Sequence, residues 1–192
     1  IYFIGNQIWG IDPVMGFDPS SGFGWGFCMH MRQTDDSVMA LNTCYDYARG
    51  VIEASGTDRN VSIAANLLST RNGIDGNEIL FASSGAVGVT DYNLFYPGAF
   101  TPTFRRGATE ETLTEYQAST GNETNAVITD PLLNIPASQD FSLQTGSPAI
   151  GIGLKVPALD IFESLYGINI YVDYLNVNRP TVPSIGAYEE TV

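Results

Sequence analysis

The chain has very little positive charge. Its 192 residues contain eight Lys or Arg against 21 Asp or Glu, so the formal net charge is −13, and Lys155 is the single lysine. Proteins that bind nucleic acid neutralise phosphates with a basic face, so this composition argues against a nucleic-acid partner. A polybasic contact with an anionic membrane surface is excluded for the same reason.

Long apolar runs and cysteines are also scarce. No run approaches the ~20 apolar residues of a transmembrane helix. The hydrophobic content of 44% is ordinary for one globular domain. Cys28 and Cys44 leave two interpretations open. They form a disulfide if adjacent strands bring them together, or Cys44 fills the core as a small apolar residue.

A short repeat is the most informative feature of the chain. Alternating apolar residues followed by Asn and a further apolar residue occur four times, with the Asn at 6, 42, 66 and 93. The intervals are 36 (42 − 6), 24 (66 − 42) and 27 (93 − 66) positions. The alternation predicts strands with one buried face, and such a period is typical of a solenoid of stacked coils. The expected core residues are Leu41, Ile63, Leu68, Val89 and Leu94.

The recurring Asn allows a functional and a structural interpretation. The functional one is calcium or sugar binding. The structural one places each Asn at a corner between two sheets, where it tolerates a left-handed backbone and its side chain bonds the main chain. Stacked Asn side chains then bond one another along the axis, so Asn42 and Asn66 are expected to be neighbours. We favour the structural interpretation, because residues that recur in each repeat usually serve the packing of one repeat on the next.

The pattern predicts an all-β fold, a right-handed parallel β-helix of about four coils over residues 1–108. A Gly/Pro-rich insertion at about residues 11–26 accounts for the longer first interval. One short helix is expected over residues 109–121, with Thr109 as its N-cap and Gly121 as its terminator. It opens a loop-rich capping region, residues 109–192. Within it, residues 126–192 are expected to pack across or alongside the last coil and protect its edge.

Four motifs in the second half of the chain occur in a fixed order. They read Leu113-Thr-Glu-Tyr-Gln-Ala-Ser-Thr-Gly121, Asp130-Pro-Leu-Leu133, Asp140-Phe-Ser-Leu-Gln-Thr-Gly-Ser-Pro-Ala-Ile150 and Ile185-Gly-Ala-Tyr-Glu189. In this order they resemble the C-terminal end of secreted bacterial right-handed parallel β-helix proteins. There are two departures. Gly151 stands where that family usually has Asp, and the segment from Asp173 to Arg179-Pro180 lacks the family's glycine.

The resemblance implies an exported protein, anchored at the cell surface or released, that acts on or binds polysaccharides as alginate-lyase-like and pectate-lyase-like enzymes do. It transfers no catalytic residue, because the catalytic coils of such lyases lie upstream of the portion that matches. Two function classes stay open. One is a structural, adhesive or carbohydrate-binding module of a cell-surface or fibre protein. The other is the C-terminal end of a polysaccharide lyase or glycoside hydrolase.

The start of the chain carries an expectation of its own. Residues 1–4 read as a strand with no polar segment ahead of it, and a bare coil end exposes apolar side chains and unpaired backbone groups. We therefore expect upstream coils of the same chain, or a stacked identical subunit, at the Ile1 end.

No residue pattern identifies a catalytic centre. Arg49 and Arg71 lie beside predicted turns, where they either bind an anionic sugar or are solvated surface residues. His30 is the only histidine, and no Gly-x-Ser-x-Gly motif accompanies it. No motif indicates a metal or cofactor, and calcium stays open without one.

Trp25 is the candidate for a carbohydrate contact. It alternates with glycines and with Phe23 and Phe27 in the insertion. Aromatic faces on a loop stack against sugar rings, and they also fold down as a lid over an apolar surface. On the first interpretation, the partner is a polysaccharide or a cell-surface glycan.

Overall fold

The fold is described from a computed structural model of the chain. The residues described are 2–11, 28–32, 34–47, 52–55, 60–70, 78–82, 87–98, 103–106 and 109–190. Side chains at some strand positions within these ranges, among them residues 30–32 and 78–82, are not described. The insertion with Trp25, Phe23 and Phe27 lies outside the described residues, as do Arg49 and Arg71.

Three parallel sheets each take every third strand of the chain. The first sheet contains β1 (Tyr2–Ile4), β4 (Val38–Ala40), β7 (Val61–Ala64) and β10 (Val87–Asp91). The second contains β2 (Gln7–Ile11), β5 (Thr43–Tyr47), β8 (Leu67–Thr70), β11 (Leu94–Tyr96) and β14 (Val127–Ile128). The third contains β3 (Met29–Arg32), β6 (Ile52–Ser55), β9 (Glu78–Ala82), β12 (Thr103–Arg106) and, antiparallel at its edge, β13 (Thr109–Glu111).

The predicted all-β, solenoid-like organisation with parallel sheets is confirmed. Strands from successive repeats pair directly, as in the registers Met39↔Ile63 and Thr43↔Leu67. The closure of the coils and their right hand stay predictions. At the first end of the stack, β1, β2 and β3 each have a partner strand on one side only among the described residues. What lies against that edge also stays a prediction.

The recurring Asn residues form a continuous hydrogen-bonded ladder. Asn42 Nδ2 donates to Asn66 Oδ1 at 2.9 Å, and Asn66 Nδ2 donates to Asn93 Oδ1 at 3.0 Å. Asn6 joins the outer end through Nδ2 to Asn42 Oδ1 at 2.9 Å. The predicted pairing of Asn42 with Asn66 is confirmed, and three such bonds link the four Asn residues at the corners between the first two sheets.

The ladder ends on a buried carboxyl group. Asn93 Nδ2 donates to Glu123 Oε1 at 2.7 Å, and Glu123 is fully buried. Its other oxygen, Oε2, has no hydrogen-bond partner among the described residues. Burial raises the pKa of Glu123 to about 8, an effect that the negative charge of Asp91 reinforces.

Two details of the structure, one at the corners and one within β10, correct the expectations from sequence. The left-handed residue is the one before each Asn, namely Gly5, Leu41, Ala65 and Tyr92, with φ between 54° and 65°. The Asn itself is not among the residues with positive φ, and its amide bonds the Asn of the neighbouring repeat. Val89 was expected in the core but is 55% exposed. One extra residue between Val87 and Thr90 shifts the register, and Thr90 takes the inward position opposite Ile63.

The remaining expected core residues are buried. Leu41, Ile63 and Leu94 are 0% exposed and Leu68 is 1% exposed. Cys44 is also fully buried, and it forms a disulfide with Cys28 (Cα–Cα 6.1 Å). This bond is compatible with an extracellular location. No helix among the described residues has the length and apolar character needed to cross a membrane.

The expected helix begins later than predicted, and a second helix is present. Thr109 was predicted as the N-cap, but Thr109–Glu111 forms β13 because it pairs with β12. The helix α1 (Leu113–Thr120) is capped by Thr112, whose hydroxyl accepts from Glu115 N at 3.3 Å. Gly121 terminates it as predicted, in a left-handed conformation with φ 73°. The helix α2 (Pro157–Tyr166) makes the expectation of a single helix wrong.

Most of the C-terminal region packs on the side of the stacked strands. The helix α1 and the strand β14 lie at the end of the stack. Tyr116 of α1 stacks on Phe104, which meets Phe95 edge-on. The segment that follows contains the antiparallel pair β15 (Leu133–Ile135) and β16 (Asp140–Leu143). Its apolar side chains complete two clusters on the first and second sheets. These clusters join Leu67 and Leu94 to Phe141, Leu143, Ile185 and Ala187, and Ala40 and Ala64 to Val156, Leu159 and Tyr171.

A buried ion pair ties the end of the chain to this surface. Arg179 Nη1 contacts Glu189 Oε1 at 2.7 Å, and the main-chain N–H of Glu189 donates to Asp173 Oδ2 at 3.1 Å. Next to it, Gly186 N donates to Ala65 O at 2.8 Å, at a corner of the stack. Two separate C-terminal motifs therefore meet in one cluster that is hydrogen-bonded to the stacked strands.

Candidate functional site

A row of mostly aromatic side chains crosses the outer face of the second sheet. Trp9 pairs with Tyr45, Tyr45 with Ser69, and Ser69 with Tyr96 on successive strands. The row has one side chain on each strand, and adjacent strands lie about 4.8 Å apart. Each member follows a ladder Asn by three positions. Because the corner fixes the start of the strand, the same offset places all four on the same face.

The C-terminal segment forms the opposite wall of a cleft along this row. It begins with a turn in which Leu132 N donates to Asp130 Oδ1 at 2.9 Å. Gln144 closes the far side, with its Nε2 donating to Leu133 O at 2.7 Å. Phe141 holds the wall in place, since it is 1% exposed and its ring lies 5.0 Å from that of Tyr45.

The cleft has a volume of about 230 Å³ and mixed polarity. Its described lining consists of Tyr45, Ser69, Tyr96, Asp130, Pro131, Leu132, Leu133, Pro136 and Gln144. Tyr45 and Tyr96 are half-buried, while Asp130 and Gln144 are exposed. The cleft is smaller and more open than the pockets of about 300–1,000 Å³ that enclose small ligands, so a ligand would lie along its surface with only part of its length in the cleft.

The electrostatics of the cleft centre on Asp130. The negative charge of Asp130 raises the pKa of Tyr96, and so does a hydrogen bond between the two side chains, in which the phenol donates to the carboxylate. Asp130 Oδ1 already accepts from the turn. A carboxylate has about four acceptor sites, so it keeps capacity for a ligand hydroxyl. Aromatic surface beside a phenol and a carboxylate suits a polyhydroxylated ring.

The same lining is poorly equipped for the hydrolysis of glycosidic bonds. That reaction uses a pair of carboxyl groups across the bond, and Asp130 is the single carboxylate in the described lining. No group of three or more His, Cys, Asp or Glu side chains that could hold a metal ion occurs in the described part of the chain.

The predicted site residues and the cleft residues are different. Trp25, Arg49 and Arg71 lie outside the described residues, so their expected roles stay predictions. His30 lies in β3, and its side chain is not described. Sequence reasoning missed Tyr45 and Tyr96, although the regular offset of three from each ladder Asn was a signal that could have found them.

Comparison with known proteins identifies no function, so the function proposed below depends on the geometry of the cleft. No family model matches the chain, and no curated protein matches it.

Proposed function

We propose that the chain is an extracellular module that binds carbohydrate in the cleft beside Tyr96, on a rigid right-handed parallel β-helix. The observation that carries the proposal is the aromatic row on the second sheet, with Asp130 brought beside Tyr96. Tyr rings offer large contact area at low entropic cost, and their hydroxyls match sugar hydroxyls.

The proposed β-helix is supported by the strand order. Every third strand joins the same sheet, and a hydrogen-bonded Asn ladder follows one corner. Connections between parallel strands are almost always right-handed, which gives the proposed hand. A stack held in this way is stiff, and a stiff rod suits a surface, fibre or adhesive protein.

The proposed extracellular location is supported by the Cys28–Cys44 disulfide. Such bonds form and persist in oxidising compartments and are rare in the cytosol. The resemblance to exported β-helix proteins points the same way. Asp173, Arg179 and Glu189, which belong to two of its C-terminal motifs, meet in one buried cluster, and this supports the relation.

Affinity electrophoresis in gels that contain soluble polysaccharides tests the proposal. We expect at least one neutral or acidic polysaccharide to retard the protein, and Tyr96→Ala to weaken that retardation about tenfold or more, as loss of a central aromatic contact does. Tyr166→Ala is the matched control, because Tyr166 is a 64% exposed tyrosine of α2 that does not line the cleft. Equal retardation of the wild type and Tyr96→Ala, or none of the wild type, would refute the proposal.

A further inference from the structure

The charge around the cleft points to one class of glycan. Asp130 is an exposed carboxylate of the cleft lining, and it lies beside Tyr96, within reach of a hydrogen bond from the phenol. None of the described lining residues is Lys, Arg or His. An acidic sugar placed over Tyr96 would bring its own carboxylate toward Asp130 without a described cation between them.

The charge of the whole molecule acts in the same direction. The formal net charge is −13, and such a field lowers the local concentration of anions at the surface. At physiological salt the field extends over about 8 Å, a distance that covers a cleft of this size. A polyuronate, with one negative charge per unit, is therefore repelled before and after contact.

The groups of the cleft match uncharged hydroxyls instead. Asp130 accepts from Leu132 N and from the Tyr96 phenol, which leaves about two of a carboxylate's roughly four acceptor sites for ligand hydroxyls, and the Tyr96 phenol oxygen can itself accept from a hydroxyl. Leu132 is 39% exposed and, together with Pro136, adds apolar surface for the C–H face of a sugar. A charge-assisted bond from a neutral hydroxyl to Asp130 is gained without repulsion.

We infer that the cleft takes a neutral glycan, built of uncharged hexose or pentose units, and rejects polyuronates. The inference rests on the proposed function, since it names the substrate class of the same site. The inferred ligand therefore differs from the anionic polysaccharides that alginate-lyase-like and pectate-lyase-like enzymes act on.

Calorimetric titration with oligosaccharides of equal length tests the inference. The neutral probes are cellohexaose, mannohexaose and xylohexaose, and the acidic probes are the hexamers of galacturonate and mannuronate, all at the same salt concentration. We expect one neutral hexamer at least to bind about tenfold tighter than either acidic hexamer, a gap that corresponds to about 1.4 kcal/mol.

Asp130→Asn gives the sharpest sign test. The substitution keeps an oxygen to accept from Leu132 N but removes the charge. We expect it to weaken the neutral ligand roughly threefold to tenfold, because a bond to a charged acceptor is about twice as strong as a neutral one. Tyr96→Phe keeps the ring and should weaken binding less than Tyr96→Ala. Unchanged thermal unfolding of both variants establishes that the fold is intact.

The failures of the two proposals are distinguishable. Tighter binding of an acidic hexamer that Tyr96→Ala abolishes, or stronger binding of the neutral hexamer by Asp130→Asn, overturns the neutral class and leaves the carbohydrate site standing. Absence of binding by every hexamer overturns both.

Discussion

Glu123 is an unusual residue on which to end a ladder of amides. Asn6, Asn42 and Asn66 each donate to the Asn of the next repeat, so the last member, Asn93, needs another acceptor. Glu123 supplies it, but a fully buried carboxylate is costly unless it is protonated or paired. The raised pKa of Glu123, about 8, is the consequence.

Glu123→Gln is therefore expected to change the pH dependence of stability. The native pKa of Glu123 lies above its ordinary value of 4.5, so the native state holds the proton more tightly than the unfolded state does. The contribution of Glu123 is fully present below about pH 4.5 and is lost as the pH rises to about 8, by at most ~1.4 kcal/mol per pH unit. Gln does not titrate, so the variant should lose less stability over this interval.

Urea unfolding of the wild type and Glu123→Gln between pH 4.5 and 9 measures the difference. The two proteins differ at this one side chain, so the difference between their pH profiles reports on Glu123. A constant difference in unfolding free energy across the interval would contradict the assignment of the slope to Glu123.

Gly186 lies where a side chain has no room. Its φ is +96°, and an added Cβ would come within 2.7 Å of Thr43 Oγ1 and 3.0 Å of Leu67 Cβ. We expect Gly186→Ala to lower the unfolding free energy by about 2–4 kcal/mol, through backbone strain and overpacking together. Gly146→Ala is the control, because Gly146 has φ +86° but nothing within 4 Å of the added Cβ.

The two substitutions separate strain from contact when their thermal unfolding is compared. Both carry the cost of a positive φ, about 1–3 kcal/mol at such positions. A larger loss of unfolding free energy for Gly186→Ala reports the steric cost of the added methyl group against β5 and β8. Equal losses would mean that this contact relaxes freely.

At the scale of elements, the Asn ladder links the corners of successive repeats. Asn66 is fully buried and takes part in bonds with Asn42, Asn93 and the carbonyl oxygen of Met39. Asn66→Ala should cost about 3 kcal/mol or more, since each buried polar group left without a partner costs about 1–3 kcal/mol. Asn6→Ala removes an exposed terminal member and should cost about 1 kcal/mol or less.

Chemical denaturation of the two variants provides the measurement. If Asn6→Ala lowers the unfolding free energy as much as Asn66→Ala does, then the stabilisation comes from having Asn at a corner and not from the bonds between stacked Asn side chains. The expected result is a clear difference between the middle and the end of the ladder.

The ladder could be predicted from sequence, because four Asn residues at matching positions in similar strands must stack once the strands pair in parallel. The exposure of Val89 could not be predicted, because it depends on one extra residue between Val87 and Thr90, and a single-residue shift reverses the faces of a strand. The start of α1 was missed for a related reason. Thr109 is drawn into β13 by its pairing with β12, and the cap passes to Thr112.

At the scale of the whole molecule, the C-terminal tail completes both the core and the cleft. It supplies Phe141 and Ile185 to the cluster around Leu67, and it carries Asp130 to the aromatic row. Deletion of residues 126–192 should expose this cluster and give an insoluble protein. A soluble and cooperatively folding truncation would contradict the role of the tail.

The buried pair of Arg179 and Glu189 offers a finer test of the tail. Arg179→Met should lower stability by about 3–5 kcal/mol, because it leaves Glu189 buried without its partner. The double variant with Glu189→Met removes both charges and should be less destabilised than Arg179→Met alone. Thermal unfolding of the single and double variants checks this, and additive losses would argue against a coupled pair.

The tail also explains why the cleft was not found from sequence. Repeat reasoning could have selected Tyr45 and Tyr96, because both follow a ladder Asn by three positions. Asp130 lies beyond α1 and outside the repeat, so no local pattern brings it to Tyr96. Only the packing of the tail on the second sheet places the two walls together.

Protein-observed NMR tests the central claim, carbohydrate binding in this cleft, most directly. Amide spectra of the ¹⁵N-labelled protein of 20.7 kDa are recorded while cellohexaose, mannohexaose or xylohexaose is added to millimolar concentration. We predict that one of them shifts the amide signals of Ser69, Tyr96, Asp130, Leu132 and Gln144 together. Shifts confined to other residues, such as those around Trp25, or no shift with any of the three, would contradict the account.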